Sequence, residues 1–140
     1  LEGLRDGLAK YDITLHDEYI KSGDLTQRSG YELGSALLDL PQRPTAIVAC
    51  NDLMAFGTIS AAQERSLEVG KDISITGFDD IPMSEYSHPA LTTVNQPVYK
   101  IGSMVCEMLI KTIRNEIDEF QRVLLKPELV IRQSTGFNNS

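Results

Sequence analysis

Two polar pairs stand where apolar runs stop. The run "TAIVAC" ends at Asn51-Asp52, and "ISITGF" ends at Asp79-Asp80. A carboxylate accepts more than one hydrogen bond, and an amide both donates and accepts, so these groups suit a small polyhydroxylated or polar molecule. Charge-assisted bonds of this kind contribute about 1.5–3 kcal/mol each. If the two runs are neighbouring parallel strands, both pairs surface at one edge of the sheet, where open α/β folds collect their ligands. Asn51 and Asp79 are the expected ligand contacts. Asp52 and Asp80 have plainer duties open to them: a cap for the helix that follows, a turn, or support behind the contacts.

Signatures of catalysis are thin. There is no glycine-rich phosphate loop; Gly34, Gly57 and Gly102 stand alone inside helical segments, where they are expected to permit close packing. No G-x-S-x-G elbow occurs, and neither His16 nor His88 has a nucleophile in its sequence context. The histidines are isolated, so no metal site and no cofactor are assigned. A magnesium-holding aspartate pair would need a further acceptor aspartate and a lysine on strand ends, which the sequence does not place. The chain is not expected to be an enzyme. Cys50 and Cys106 sit in apolar company and read as buried thiols of a reducing compartment.

The elements that must position these groups follow from periodicity. Leu1, Leu4, Leu8 and Tyr11 set a first helix, already in register at the first residue, which reads as a fragment of a longer chain. "ITLHDEYI" (13–20) alternates weakly and is expected as an edge strand, followed by a polar loop and a helix over 31–40 that "PQRP" terminates. "TAIVA" (45–49) reads as a strand buried on both faces. A helix over 51–66, a strand over 72–78, an irregular stretch, and a strand over 91–94 come next. A long amphipathic helix from Val98 to about Ile117 carries Ile101, Met104, Val105, Met108, Leu109 and Ile113 in one stripe. "RVLL" and "ELVIRQS" close the chain as two further strands. The alternation predicts an α/β fold with a parallel sheet flanked by helices.

Bulk properties agree with one domain of 140 residues: 41% hydrophobic and 24% charged exclude a disordered chain, and no apolar stretch reaches the ~18 residues of a membrane helix. The net charge of -7 argues that these residues do not themselves grip phosphate backbones. Apolar side chains in unusual places are a further signal. Ile81, Met83 and Tyr86 fall in the irregular stretch "IPMSEY", and helix 51–66 carries Leu53, Met54, Phe56 and Ile59 on more than one side. They pack a loop over the core, or Met54, Phe56, Ile59, Ile81, Met83 and Tyr86 form a self-complementary dimer surface.

"PTAIVACND" with "MAFG", "DISITGFDD", "PALTTVNQP" and "ELVIRQS", in this order and spacing, resemble the effector-binding core of LacI/GalR-type transcriptional repressors. The resemblance covers essentially the whole chain. It implies a two-subdomain core of the periplasmic-binding-protein type (type I). Residues 1–95 and 126–137 would form the C-terminal subdomain, and 96–125 would pack on or cross to the N-terminal one. It implies a small effector, a sugar or nucleobase, held between the halves, with Asn51 and Asp79 matching effector-contacting positions. Leu25 stands where many relatives place an aromatic that stacks on the ligand. Homodimerisation, operator DNA bound only through a helix-turn-helix domain absent here, a cytoplasmic location and no membrane contact belong to the same implication. The rival is a periplasmic sugar-binding protein of a transport system, which shares the fold and would carry a signal peptide upstream.

Overall fold

A computed structural model describes residues 1–116 and 122–136. Two parallel strands form its centre: β1 (Ala46–Val48) and β2 (Ser74–Thr76), in register Ala46↔Ser74 and Val48↔Thr76. On the far side of β2, parallel bridges Thr76↔Thr92 and Asp79↔Asn95 bring in β3 (Thr93–Asn95), and β4 (Glu128–Val130) pairs antiparallel with β3. The α/β class read from the alternation of elements is the one observed.

Helices α1 (Glu2–Ala9), α2 (Gln27–Leu38), α3 (Asp52–Glu64), α4 (Met83–Tyr86) and α5 (Val98–Ile113) complete the molecule. The α2–α3 pair holds the core against the sheet. Met54, Ala55, Phe56, Ile59, Ala61 and Ala62 of α3 are buried with Leu37 and Leu38 of α2 and with Ile47, Ile73, Ile75 and Leu91. Burying a side chain of the Leu, Ile or Phe size contributes about 1.5–3 kcal/mol. Contact between the two helices depends on missing side chains. A Cβ on Gly30 would strike the Met54 backbone, and one on Gly57 would strike the Gln27 carbonyl. Gly34 lies tight against Thr58, as expected, whereas a Cβ on Gly102 would meet nothing within 4 Å among the described residues.

Several expectations need correction. Residues 13–20 form no strand; Asp17–Tyr19 make one 3-10 turn, and Tyr19 donates its hydroxyl to the Gln42 carbonyl at 3.0 Å. Weak alternation found no partner edge. Half of the polar loop before α2 is the helix's own start, because the Thr26 hydroxyl caps it by accepting from Ser29 N at 3.1 Å. Strand β1 is buried on one face only, with Ile47 and Ala49 inside and Val48 exposed. The irregular stretch holds the short α4, and "RVLL" carries no strand. Cys50 and Cys106 are exposed thiols, since Cys50 alternates onto the open face of β1 and Cys106 lies on the unpacked α5. Helix α5 ends at Ile113, capped by Arg114, and 114–116 are not helical, so it stops short of the expected end near Ile117, a residue that itself lies outside the described residues.

Among the described residues, no side chain of α1 or α5 is buried. The α5 stripe is real, yet Ile101, Val105, Leu109 and Ile113 are all exposed. The returning β4 segment, by contrast, is tied down after its last strand residue. Ser134 Oγ accepts from Thr92 N at 2.8 Å and donates to the Ile75 carbonyl at 2.6 Å, and Ser134 N donates to Ala90 O. No helix among the described residues is long and apolar enough to cross a membrane.

Candidate functional site

The β1–β2 register decides where the polar pairs emerge. Asn51 lies three residues beyond Val48, and Asp79 lies three beyond Thr76, so the parallel register brings both to the same carboxyl edge. A backbone bond from Asp52 N to Phe78 O, at 3.0 Å, holds the two continuations together past the last strand residues. Both side chains are partly exposed there.

Asn51 performs the capping that suits either member of its pair. Its Oδ1 accepts from Met54 N at 2.9 Å, which satisfies one of the free amides of the first turn of α3. Its Nδ2 donates to the Leu25 carbonyl at 2.9 Å and so ties the loop before α2 to the rim. Leu25 is exposed and left-handed, with φ 67°. The loop keeps its shape through Asp24, whose Oδ1 accepts from Thr26 N and Thr26 Oγ1, and these bonds lower the Asp24 pKa. Asp52 is therefore not the cap. It is 1% exposed and takes three bonds, from Ile81 N, Ser84 Oγ and Thr93 Oγ1.

The two aspartates that close β2 have different fates. Asp80 is consumed by the structure: Oδ1 pairs with Arg132 Nη2 at 2.8 Å and Oδ2 accepts from Asn95 Nδ2 at 2.8 Å. Arg132 also donates through Nη1 to the Leu91 carbonyl at 2.8 Å. Asp79 accepts at Oδ1 from Gln96 Nε2 at 2.7 Å, and its backbone amide bonds Val94 O. The other oxygen, Oδ2, takes no hydrogen bond from the described residues, which leaves it available to a ligand. Asp79 and Asp80 both have positive φ, 114° and 55°. Side chains with a Cβ rarely adopt such angles, and each costs about 1–3 kcal/mol. Strain in two consecutive residues persists only where surrounding bonds over-determine it, and here those bonds come from Val94, Asn95, Gln96 and Arg132.

Sequence reasoning missed Gln96, Arg132, Ser84 and Thr93. "TTVNQP" offered the first and last of these as polar residues in a strand, but nothing local shows which carboxylate each one meets. The expected dimer residues divide. Met54, Phe56 and Ile59 are buried in this chain's own core, Ile81 is half-buried, and Met83 and Tyr86 are exposed. Only the last two offer a large free apolar surface. Among the described residues there is no group of three or more His, Cys, Asp or Glu side chains placed to hold a metal ion.

A parallel sheet with polar groups gathered at its carboxyl edge is the arrangement of a small-molecule-binding α/β core. The chain belongs to the periplasmic binding protein-like domain family, whose model matches residues 1–135. It is 41% identical over 136 residues to the HTH-type transcriptional repressor PurR of Proteus mirabilis, covering 97% of this chain and 40% of that protein. A regulatory protein of the LacI family from Chloroflexus aggregans superposes with a TM-score of 0.85 at 37% identity, over 96% of this chain and 49% of the other. A LacI family transcriptional regulator from Enterococcus faecium with bound ribose gives 0.88 at 30% identity, over 96% and 50%. The likeness to LacI/GalR-type regulators carried by the sequence motifs is borne out. The chain spans about two fifths of the length of the curated relatives it matches.

Proposed function

We propose that these residues form the effector-sensing part of a transcriptional repressor, a non-enzymatic regulator that holds a sugar or nucleobase at the rim bearing Asn51 and Asp79. The observation that carries this reading is the pairing at one sheet edge of a tied amide and a carboxylate with a free oxygen. The repressor relatives and the ribose-bound neighbour support it.

In this reading residues 1–95 and 126–137 make one subdomain, while 96–125 pack on or cross to the second half of the cleft. The exposed apolar stripe of α5 supports the second assignment, because such a face is normally covered. Effector contacts shift the population of two arrangements of the halves, and their differential affinity limits the size of the response. A homodimer using Met83 and Tyr86 passes the change to an operator-binding head in the cytoplasm.

The test uses the full natural chain. Thermal shift against a panel of pentoses, hexoses and nucleobases identifies a binder, since selective binding raises Tm by mass action. Asp79→Ala should then weaken that binder about 10- to 150-fold, the loss of one charge-assisted bond of about 1.5–3 kcal/mol, and leave operator affinity intact. An unchanged effector titration with Asp79→Ala would defeat the assignment.

A further inference from the structure

The turn that presents Asp79 is held on both sides by one residue, and that residue is Asp52. Its backbone amide bonds Phe78 O at 3.0 Å, immediately before the turn, and its carboxylate Oδ2 accepts from Ile81 N at 2.9 Å, immediately after it. Between the two anchored residues, Phe78 and Ile81, lie only Asp79 and Asp80, both left-handed. The carboxylate is completed by Ser84 Oγ at 2.6 Å on Oδ2 and Thr93 Oγ1 at 2.5 Å on Oδ1. No cation pairs with it among the described residues. Its position in the first turn of α3 favours a negative charge, because the free amides there carry partial positive charge.

We propose that Asp52 is a positioning residue: by bonding Ile81 N, its buried carboxylate locks the Asp79–Asp80 turn in the left-handed form and so aims the free oxygen of Asp79 at the effector. This rests on the effector reading above. A left-handed pair without glycine relaxes when an anchor is lost, since neither residue prefers that geometry. Of the three bonds, the one from Ile81 cannot be rearranged, because a backbone N–H can only donate. Ser84 and Thr93 can turn their hydroxyls to accept. Asp52→Asn can therefore keep its oxygen toward Ile81 and Ser84 and offer its NH2 group to Thr93. Asp52→Ala cannot replace any of the three.

The full natural chain is compared with Asp52→Ala, Asp52→Asn and Thr93→Val by hydrogen exchange, without ligand. Exchange in the peptide spanning 78–82 should accelerate at least about tenfold in Asp52→Ala, while peptides of β2 and the second half of α3 keep wild-type protection. Asp52→Asn and Thr93→Val should stay close to wild type. Should Asp52→Ala fail to fold, Asp52→Ser, whose hydroxyl is too short to reach Ile81, is judged by the same criteria. Binding is then titrated across the same panel of pentoses, hexoses and nucleobases, ribose included, and whichever compound binds wild type should bind Asp52→Ala at least about tenfold more weakly, with recovery in Asp52→Asn. Unchanged exchange at 78–82 in the folded variant overturns the lock. Equal effector affinity of Asp52→Ala and wild type overturns the positioning role and leaves the effector reading standing. If no compound of the panel binds wild type while exchange responds as expected, the lock stands and the sugar-or-nucleobase reading falls.

Discussion

Asp79 and Asp80 are chemically identical neighbours, and the fold uses them for opposite purposes. Asp80 turns toward Arg132 and Asn95, where its side chain is only 14% exposed, and becomes part of the scaffold. Breaking such a pair by deleting one partner costs on the order of 3 kcal/mol. Asp79 keeps an oxygen free. The sequence shows two carboxylates at a strand end and therefore the rim, but the division of labour depends on Arg132, 52 residues beyond Asp80, and was not readable. The same holds for Asn51 and Asp52: either can cap α3, and only the placement of Ile81, Ser84 and Thr93 tells which one is drawn inward. Gly77 is part of this arrangement. A Cβ there would collide with Asp52 Oδ1 and approach Leu91 Cδ2 to 2.9 Å. Gly77→Ala is expected to destabilise the protein by about 1–3 kcal/mol, measured by urea denaturation, and a loss under 0.5 kcal/mol would show that the contact relaxes cheaply.

At the scale of elements, long and strongly patterned segments were legible and short ones were not. The strands near 45–49, 72–78 and 91–94 announce themselves as apolar or β-branched runs between turn signals, and α5 announces itself by its stripe. "ITLHDEYI" and "RVLL" have strand composition without a partner edge, and pairing is a property of the whole sheet that no local pattern carries. The α2–α3 pair adds an electrostatic clasp at its far end. Arg65 donates to Asp39 through Nε at 2.8 Å and Nη2 at 2.7 Å, joining the two helix C-termini. These bonds hold the Asp39 carboxyl below its ordinary value of 3.8. A depressed carboxyl contributes stability that is complete above the unfolded value and vanishes as pH falls through the folded one. The Tm difference between wild type and Asp39→Asn should thus be undiminished at neutral pH and shrink as pH falls below the ordinary carboxyl value of 3.8. Both groups are solvent-accessible, so the difference is small and shrinks in salt. A difference that persists undiminished at the acid end would remove the clasp as its cause.

For the whole molecule, the distribution of apolar surface is the controlling fact. The core around α3 is sealed, whereas α1 and α5 bury nothing among the described residues, and Leu109 and Ile113 stand 58% and 71% exposed. Exposed faces of this size seek partners. The 140-residue chain prepared alone should self-associate, with an apparent mass on size exclusion that rises with concentration. Replacing Val105, Leu109 and Ile113 with glutamate should remove that concentration-dependent growth, leaving no species larger than the dimer proposed through Met83 and Tyr86. A monomeric wild-type chain at all concentrations would mean that the stripe is not sticky enough to require cover.

The amide of Asn51 has consequences for how such a rim can diversify. One end of it stabilises the start of a central helix, and the other grips the carbonyl of Leu25. Its identity is fettered by folding. The Leu25 side chain is attached to the same junction only through main-chain atoms and projects into solvent, so its chemistry can vary while the architecture stays put. If the rim holds an effector as proposed, a new ligand preference can arise by substitution at position 25 with the scaffold intact, whereas any change at position 51 must first keep the α3 cap and the tie to Leu25.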